Sequence, residues 1–346
     1  MGPGTPPGAL LPCDDAAPGT FVNSWRPARI DVLLLLMTLI WGTNYTVIKS
    51  AFKEIDPQAF NALRLIVASS VMLATMAITR RVRWNPGEVF FTSEPVTRRD
   101  WVALAALGLV GHCIYQYLFV GGVARTSIAN SSLLLAASPV LITILGVGLH
   151  KLGGPGERVT AMHWAGTLLS LAGIYIVVRS GGKMAGQSLF GDLLMGGAVV
   201  CWSTYTIAAR PLMERHSPVG VTALSMAVGT LFYVPLALTA MRRADWAMLS
   251  VQTWMALVYS AVLSICVAYV IWYMGVRELG SARTAVYSNL MPVVAMVTAV
   301  IWLREPVGFG KIAGAALVLA GVALTRVGKK AHGSGLMAQT DSCLGH

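Results

Sequence analysis

Long apolar stretches alternate with short polar connections along most of the chain. Each stretch holds roughly 18 to 23 residues, enough for a helix to cross a hydrocarbon core of about 30 Å. Lipid offers no partners to an open backbone, so a helix is the state expected for every stretch. The approximate limits are 30–50, 58–79, 101–121, 127–149, 159–178, 190–209, 219–240, 252–274, 282–303 and 308–326. We therefore predict an all-α integral membrane protein with ten transmembrane helices.

The composition supports lipid as the solvent for this chain. Hydrophobic residues make up 55% of it, charged residues only 12%, and the mean hydropathy is +0.66. A soluble globule of 346 residues needs more polar surface than this sequence supplies. Residues 1–29 lack periodicity and are rich in Pro, Gly and Ala, so we expect a disordered cytoplasmic tail there. Residues 327–346 are expected to form a second cytoplasmic tail.

The charge pattern predicts a membrane orientation. The formal net charge is +11, but the basic residues are spread thinly between apolar runs. This distribution favours an anionic membrane surface as their partner and does not suggest nucleic acid. With the N-terminus inside, the connections on the cytoplasmic side carry the larger share of Lys and Arg. We therefore expect an inner (plasma) membrane protein, multi-pass, with both termini cytoplasmic.

The two halves of the chain resemble each other. When the first half is shifted onto the second, Trp41 meets Trp202 and Pro57 meets Pro218; a slightly smaller shift further along brings Pro139 onto Pro292. We predict a first repeat over 30–179 and a second over 190–326, each with five helices. Because five is odd, the second repeat must enter the membrane from the opposite side. Inverted repeats around a central cavity are typical of secondary transporters; duplication retained only for packing is the alternative.

Several motifs resemble one known family. The run WGTNYTVIK (41–49), the segment SIANSSLLLAASPV (127–140) and its second-half counterpart SARTAVYSNLMPV (281–293) are similar to EamA-type members of the drug/metabolite transporter superfamily. The resemblance covers roughly residues 30–326. It implies ten helices as a five-plus-five inverted repeat around a central cavity, and the export of amino acids or related metabolites.

Polar and aromatic side chains inside the predicted spans are the candidate substrate contacts. Trp41 and Asn44 share a face of the first span, while His112 and Gln116 share a face of the third. Interfacial anchoring and ordinary ring packing are the structural alternatives. The full predicted set is Trp41, Asn44, Tyr45, Arg64, His112, Gln116, Asn130, Ser131, Trp202, Tyr205, Tyr269, Trp272, Tyr287 and Asn289.

Arg64 stands out because it is a cation well inside a span with no carboxylate near it in sequence. It could attract a substrate carboxylate, or instead snorkel or bind backbone carbonyls. His112 is a candidate for proton coupling, with a satisfied packing role as the alternative. Uniport, exchange and coupling through His112 all remain open.

The sequence contains no pattern for covalent or nucleotide chemistry. GGPGER (153–158) lacks the P-loop pattern, and no metal-ligand spacing occurs. We therefore predict a non-enzymatic secondary transporter without a cofactor, whose partners are a small-molecule substrate and the bilayer, acting as a monomer or weak oligomer. A membrane-embedded enzyme and a receptor or scaffold are the rival classes.

Overall fold

A computed structural model describes residues 25–81, 95–138, 141–142, 145, 161–181, 188–279, 287, 290–321 and 323–324. Regular structure in these ranges is entirely helical. We number the helices α1 (Trp25–Ala51), α2 (Pro57–Arg81), α3 (Arg98–Arg125), α4 (Ile128–Ala136), α5 (Ala161–Gly181), α6 (Leu189–Arg215), α7 (Pro218–Arg243), α8 (Val251–Leu279), α9 (Met291–Leu303) and α10 (Phe309–Gly321).

Six of these helices are long and apolar enough to cross a membrane, by length and composition: α1, α2, α3, α6, α7 and α8. Shorter apolar helices occur in α5, α9 and α10. The helix predicted over 127–149 is described as far as Ala136, and most of its second half lies outside the described residues. The chain is thus a multi-pass, all-helical protein within the described ranges.

Local capping sets where several helices begin. Asp56 and Ser217 are counterparts in the two halves, and each precedes a proline. The Asp56 carboxylate accepts the Gln58 N–H at 2.8 Å, and the Ser217 hydroxyl accepts the Gly220 N–H at 3.1 Å. A side-chain acceptor followed by proline satisfies or removes the free N–H groups of a first turn. The same sequence signal therefore starts α2 and α7.

Helix packing follows one pattern in both halves. Helix α1 packs against α8 and α9, and its counterpart α6 packs against α3 and α4. Helix α2 packs against α8, and its counterpart α7 packs against α3. Helices α2 and α7 also pack against each other, which joins the group of α1, α2, α8 and α9 to the group of α3, α4, α6 and α7. Helices of one half therefore pack mainly against helices of the other half.

The counterpart helices α2 and α7 touch each other and run antiparallel. Ser69 and Thr230 are 161 residues apart, and their hydroxyl oxygens lie 2.8 Å from each other. Further along α2, the Met76 side chain lies against the start of α7, where a Cβ on Gly220 would be 3.7 Å from it. Residue numbers therefore increase along α2 in the direction in which they decrease along α7, as in an antiparallel pair.

The α5–α10 pair has the same antiparallel sense. Small residues let the two backbones approach closely. A Cβ on Gly173 would lie 2.8 Å from the Gly314 carbonyl oxygen, and one on Gly321 would lie 2.5 Å from the Gly166 carbonyl oxygen. The later glycine of α5 therefore meets the earlier glycine of α10.

Helices α3 and α8 contain π-helical segments at Leu109–Ile114 and Tyr259–Val267. In the alignment of the halves that pairs Pro139 with Pro292, the first segment corresponds to 262–267, which lies within the second. π-Helical turns widen the backbone locally and are frequent at functional sites. His112 of the first segment contacts Tyr205, and the Ser264 carbonyl of the second accepts the Trp41 indole N–H, so both segments touch the group of residues described next.

Candidate functional site

Arg64 lies at the junction of four helices. Its side chain is 2% exposed, and its Nη2 atom donates to the Gln116 side-chain oxygen at 2.7 Å. The hydroxyls of Tyr115, Tyr233 and Tyr269 lie within electrostatic reach of the guanidinium. These groups belong to α3, α7 and α8, so residues of both halves surround the cation.

No carboxylate neutralises this guanidinium within the described ranges. The ion pairs found there are Lys49–Glu305, Arg210–Glu214, Arg215–Asp100 and His216–Asp100. The Nε atom of Arg64 is also buried without a hydrogen-bond partner. A buried cation lacking a counter-ion costs several kcal/mol of desolvation. Arg64 therefore has the electrostatics of an anion-binding group.

Aromatic rings form two walls beside Arg64. On one side, the Trp202 ring lies 5.4 Å from Tyr115 and 5.8 Å from Tyr205 between ring centroids. On the other side, the Trp41 ring lies 5.7 Å from Tyr269 and 5.8 Å from Trp272. The two tryptophans correspond in the alignment of the halves. Trp202 packs against α3 of the first half, and Trp41 packs against α8 of the second.

The indole N–H of Trp41 is engaged by the protein. The Trp41 indole N–H donates at 2.8 Å to the Ser264 carbonyl, which lies inside the π-helical segment of α8. That hydrogen bond fixes the Trp41 ring in the wall between α1 and α8. It leaves the ring face, rather than the indole N–H, as the surface available to a solute.

His112 lies against the Trp202 wall. Its ring contacts Tyr205 edge to face at 5.2 Å, and its Nε2 atom is buried without a hydrogen-bond partner. The Asn44 side-chain oxygen is likewise buried and unpartnered. Tyr45 packs edge to face on Phe119, 5.6 Å away. Phe119 in turn stacks on Tyr115, which links Tyr45 to the residues around Arg64.

Eight predicted substrate contacts are thus joined to Arg64, itself a predicted contact, either directly or through ring contacts. These nine residues and Tyr115 form what we call the central cluster: Trp41, Tyr45, Arg64, His112, Tyr115, Gln116, Trp202, Tyr205, Tyr269 and Trp272. It combines one cation, one amide, one imidazole and several rings. Such a surface suits a small solute with a carboxylate and an apolar part.

Three predicted contacts lie elsewhere. The Asn130 amide donates to both Asp192 oxygens, at 3.2 and 3.1 Å, near the first turn of α4. The Ser131 hydroxyl donates to the Ser127 carbonyl in its own helix. The Tyr287 hydroxyl donates to Asp31 at 2.6 Å, near the start of α1. These three side chains hold helix ends in place, and Asn289 lies outside the described residues.

Asn61 is a polar residue in the same region that the sequence pattern alone does not single out. It lies one turn before Arg64 on α2 and is completely buried. Neither of its side-chain atoms forms a hydrogen bond of standard geometry, although the Tyr233 side chain lies close to it. A buried amide without partners is costly unless a ligand or water completes it. The spacing of Asn61 and Arg64, three residues apart, was the available signal because it places both on one helix face.

The described residues contain no group of three or more His, Cys, Asp or Glu side chains that could hold a metal ion. Cys113, Cys201 and Cys266 are free thiols there.

Comparison with known proteins shows what this chain resembles. The model of the EamA-like transporter family matches twice, over residues 28–179 and 189–327. An uncharacterised transporter of Archaeoglobus fulgidus is 30% identical over 301 residues, 86% of this chain and 97% of that protein. A probable terminal-alkyne amino-acid exporter of Streptantibioticus cattleyicolor is 30% identical over 291 residues, 84% of this chain and 91% of that protein.

A solved crystal structure shares the fold. It superposes with a TM-score of 0.58 at 21% sequence identity, covering 86% of this chain and 97% of that one. The family match spans most of the chain, and the similar proteins carry the name of transporter. The family resemblance found in the sequence is thereby confirmed: this chain belongs to the EamA-like transporter family, and it is a multi-pass membrane protein.

Proposed function

We propose that this chain is a secondary transporter that exports amino acids, or related metabolites bearing a carboxylate, by alternating access. The observation that carries the proposal is Arg64, a buried cation in the middle of a span without a carboxylate partner in the described residues. A substrate carboxylate can supply the missing counter-charge through bidentate hydrogen bonds.

The remaining members of the central cluster suit the rest of such a solute. Gln116 orients the guanidinium through its 2.7 Å hydrogen bond. The ring faces of Trp41 and Trp202 can hold an apolar side chain, and aromatic faces also attract an ammonium group. The exporter of Streptantibioticus cattleyicolor, whose printed name gives an amino acid as its substrate, supports this substrate class.

Alternating access rests on a five-plus-five inverted repeat. The antiparallel α2–α7 and α5–α10 pairs and the matched packing of α1 and α6 support that arrangement, as does the double family match. Two similar bundles inserted in opposite senses can rock about a shared site and expose it to each side in turn. In this proposal 30–179 and 190–326 are the two moving units.

The distribution of Lys and Arg supports an inner-membrane location with cytoplasmic termini. The end of the molecule that carries Lys49 then faces outward. The proposal includes three alternatives for the transport cycle: uniport, exchange, and proton coupling through His112. The buried, unpartnered Nε2 atom of His112 supports only the third.

The test is transport by proteoliposomes loaded with a panel of radiolabelled amino acids, with and without a pH gradient. We expect efflux of at least one amino acid, and its loss in Arg64→Gln. The matched control is Arg210→Gln, because Arg210 is an exposed arginine paired within its own helix. Efflux that is unchanged in Arg64→Gln, or solutes without a carboxylate carried equally well, would contradict the proposal.

A further inference from the structure

Lys49 lies at the centre of a network that joins several helix ends. Its ammonium donates to a Glu305 oxygen at 2.7 Å and to the Thr126 carbonyl at 2.6 Å. The second Glu305 oxygen accepts the Ile128 N–H at 2.9 Å. The Lys49 and Glu305 side chains are only 20% and 16% exposed. One ion pair thus holds the end of α1, the end of α9 and the connection between α3 and α4.

A buried carboxylate extends this network to α6. Asp192 accepts the Thr126 hydroxyl at 2.5 Å and the Asn130 amide at 3.1 Å. We call the following residues the Lys49 network: Lys49, Thr126, Ile128, Asn130, Asp192 and Glu305. Four of its contacts join the first half of the chain to the second, namely Lys49–Glu305, Ile128–Glu305, Thr126–Asp192 and Asn130–Asp192.

A second lysine borders the Lys49 network. Lys311 is completely buried near the start of α10, and its ammonium donates to the Ser127 hydroxyl at 3.2 Å. Glu305 and Asp192 both lie within electrostatic reach of that ammonium. The two carboxylates therefore face two cations, and the charges of this end form one compact group.

Other contacts between the halves occur in the same form at both ends of the molecule. The Glu54 carboxylate accepts from Ser250 and Thr253 at the start of α8, which lowers the pKa of Glu54. The counterpart of Glu54 in the second half is Arg215, which binds Asp100 at the start of α3 at 2.6 Å. Contacts that are present at both ends at once cannot distinguish which end is closed.

The position of Lys49 behaves differently at the two ends. Its counterpart in the second half is Arg210, whose side chain is 70% exposed. The ionic partner described for Arg210 is Glu214, one turn along the same helix at 3.7 Å. Glu157, the sequence counterpart of Glu305, lies outside the described residues. The Lys49 position therefore joins the two halves at its own end, while the ion pair that Arg210 forms with a described residue lies within α6.

We propose that the Lys49 network is a gate: the Lys49–Glu305 ion pair closes the central cluster to the Lys49 end, and it breaks when the cluster opens there. The gate rests on the alternating access proposed above. The Glu54 and Arg215 contacts, being common to both ends, stay in place while the gate opens. Because both gate side chains are partly exposed, water can solvate them once they separate, which keeps the cost of opening modest.

The test measures access to a native thiol from each side of the membrane. Cys201 is half-buried on α6 beside Trp202, and its thiol lies within electrostatic reach of Tyr115. In a chain whose Cys13, Cys113, Cys266 and Cys343 are replaced by alanine, Cys201 is the one remaining thiol. Its reaction with a membrane-impermeant maleimide is followed in right-side-out and inside-out vesicles.

We expect Lys49→Ala and Glu305→Ala to raise the rate of Cys201 labelling from the Lys49 end by about tenfold, the effect of a coupling near 1.4 kcal/mol. Labelling from the other end should not rise. Glu305→Gln keeps an acceptor for Ile128 and loses the charge, so its effect should be intermediate. The matched control is Arg210→Ala with Glu214→Ala, which removes an ion pair of one helix and should leave both rates unchanged.

Unchanged labelling in Lys49→Ala, in protein that remains monodisperse, would overturn the gate. If the alanine variants do not fold, the conservative Lys49→Gln with Glu305→Gln gives the same readout. Labelling needs no substrate, so the two proposals fail separately. A response to Lys49→Ala without transport of any amino acid would contradict the proposed substrate and leave the gate standing.

Discussion

Helices α2 and α7 correspond in the two halves and pack against each other, yet they treat their polar side chains differently. On α7, the Thr222 hydroxyl meets the Tyr273 hydroxyl at 2.7 Å, and Ser225 donates to the Thr222 carbonyl at 3.2 Å. At the same positions α2 has Asn61 and Arg64. Asn61 forms no hydrogen bond of standard geometry, and Arg64 has one partner and a free Nε.

In the proposed transporter, this difference would let two similar halves carry a single ligand site. The repeat requires the backbones of α2 and α7 to match, and it leaves their side chains free to diverge. Helix α7 satisfies its polar groups within the protein, which adds to stability. Helix α2 leaves polar atoms unsatisfied in a low-dielectric region, which lowers stability and creates capacity for a ligand. Exchanging or removing these side chains tests that division between the two helices.

The largest effect is expected for Arg64→Ser, which gives α2 the residue that α7 has. Loss of the charged hydrogen bonds to a carboxylate should lower transport by about 100-fold, equivalent to roughly 3 kcal/mol. The measurement is the initial rate of amino-acid efflux from proteoliposomes.

Thermal unfolding in detergent provides the control for the Arg64→Ser variant. Removal of a buried cation without a counter-ion should leave the midpoint unchanged or raise it. A variant that is both less stable and inactive would indicate that Arg64 is a structural residue. That result would end the assignment of ligand binding to α2.

Asn61→Thr, again the α7 residue, should weaken substrate binding by about five- to tenfold, the effect of one neutral hydrogen bond. We expect the change in KM, with the maximal rate retained. Equilibrium binding of a labelled amino acid to detergent-solubilised protein gives an independent value. Unaltered affinity would show that Asn61 is completed by water and not by the solute.

Ser69→Ala tests the contact between the two helices themselves. The hydrogen bond between Ser69 and Thr230 is buried between α2 and α7, so its loss should lower the free energy of unfolding by about 1 kcal/mol. In the variant, the Thr230 hydroxyl keeps its 2.8 Å hydrogen bond to the Met226 carbonyl, which limits the loss of stability. KM should not change; a raised KM would mean that this contact also shapes the site.

The smallest effect is expected for Ser225→Ala. The Ser225 hydroxyl donates to a carbonyl in its own helix and lies beside the Tyr205 side chain, so we expect a change in stability of less than about 1 kcal/mol. Transport measured in parallel with Arg64→Ser should be normal. A strong loss of transport in Ser225→Ala would show that α7 contributes to the ligand site as well.

The all-helical membrane class could be predicted from sequence because it depends on a cumulative signal, and the predicted repeat rests on a second such signal. Apolar length alone predicts a span. The shift that brings Trp41 onto Trp202 reappears in space as the contact of Ser69 with Thr230. Arg64 and Gln116 were predicted separately as site residues, whereas their hydrogen bond depends on how α2 and α3 pack, which no local pattern encodes.

A polar residue within a predicted span does not reveal from sequence alone whether it contacts a substrate or stabilises a helix end. Asn130 and Tyr287 are polar residues near span ends, and each has a carboxylate partner, 62 and 256 residues away respectively. Asn61 is not predicted as a site residue from the sequence, because its spacing of three residues from Arg64 is a weak signal within an apolar run. Tertiary contacts decide whether a buried polar group has a hydrogen-bond partner. In the structure, Asn130 and Tyr287 have carboxylate partners, whereas the Asn61 amide forms no hydrogen bond of standard geometry.

The π-helical segments of α3 and α8 have a consequence for the comparison of relatives. A π-helical turn holds about one more residue than an α-helical one, so deletion of a residue within 109–114 can convert the segment to regular α-helix while the flanking turns keep their orientation. The same deletion in the α-helical part of α3 before this segment would rotate everything beyond it by about 100° about the helix axis. Gln116 and Phe119 would then turn away from Arg64. A one-residue alignment gap within 109–114 is therefore compatible with the same lining of the central cluster, whereas a gap just before it marks a different one.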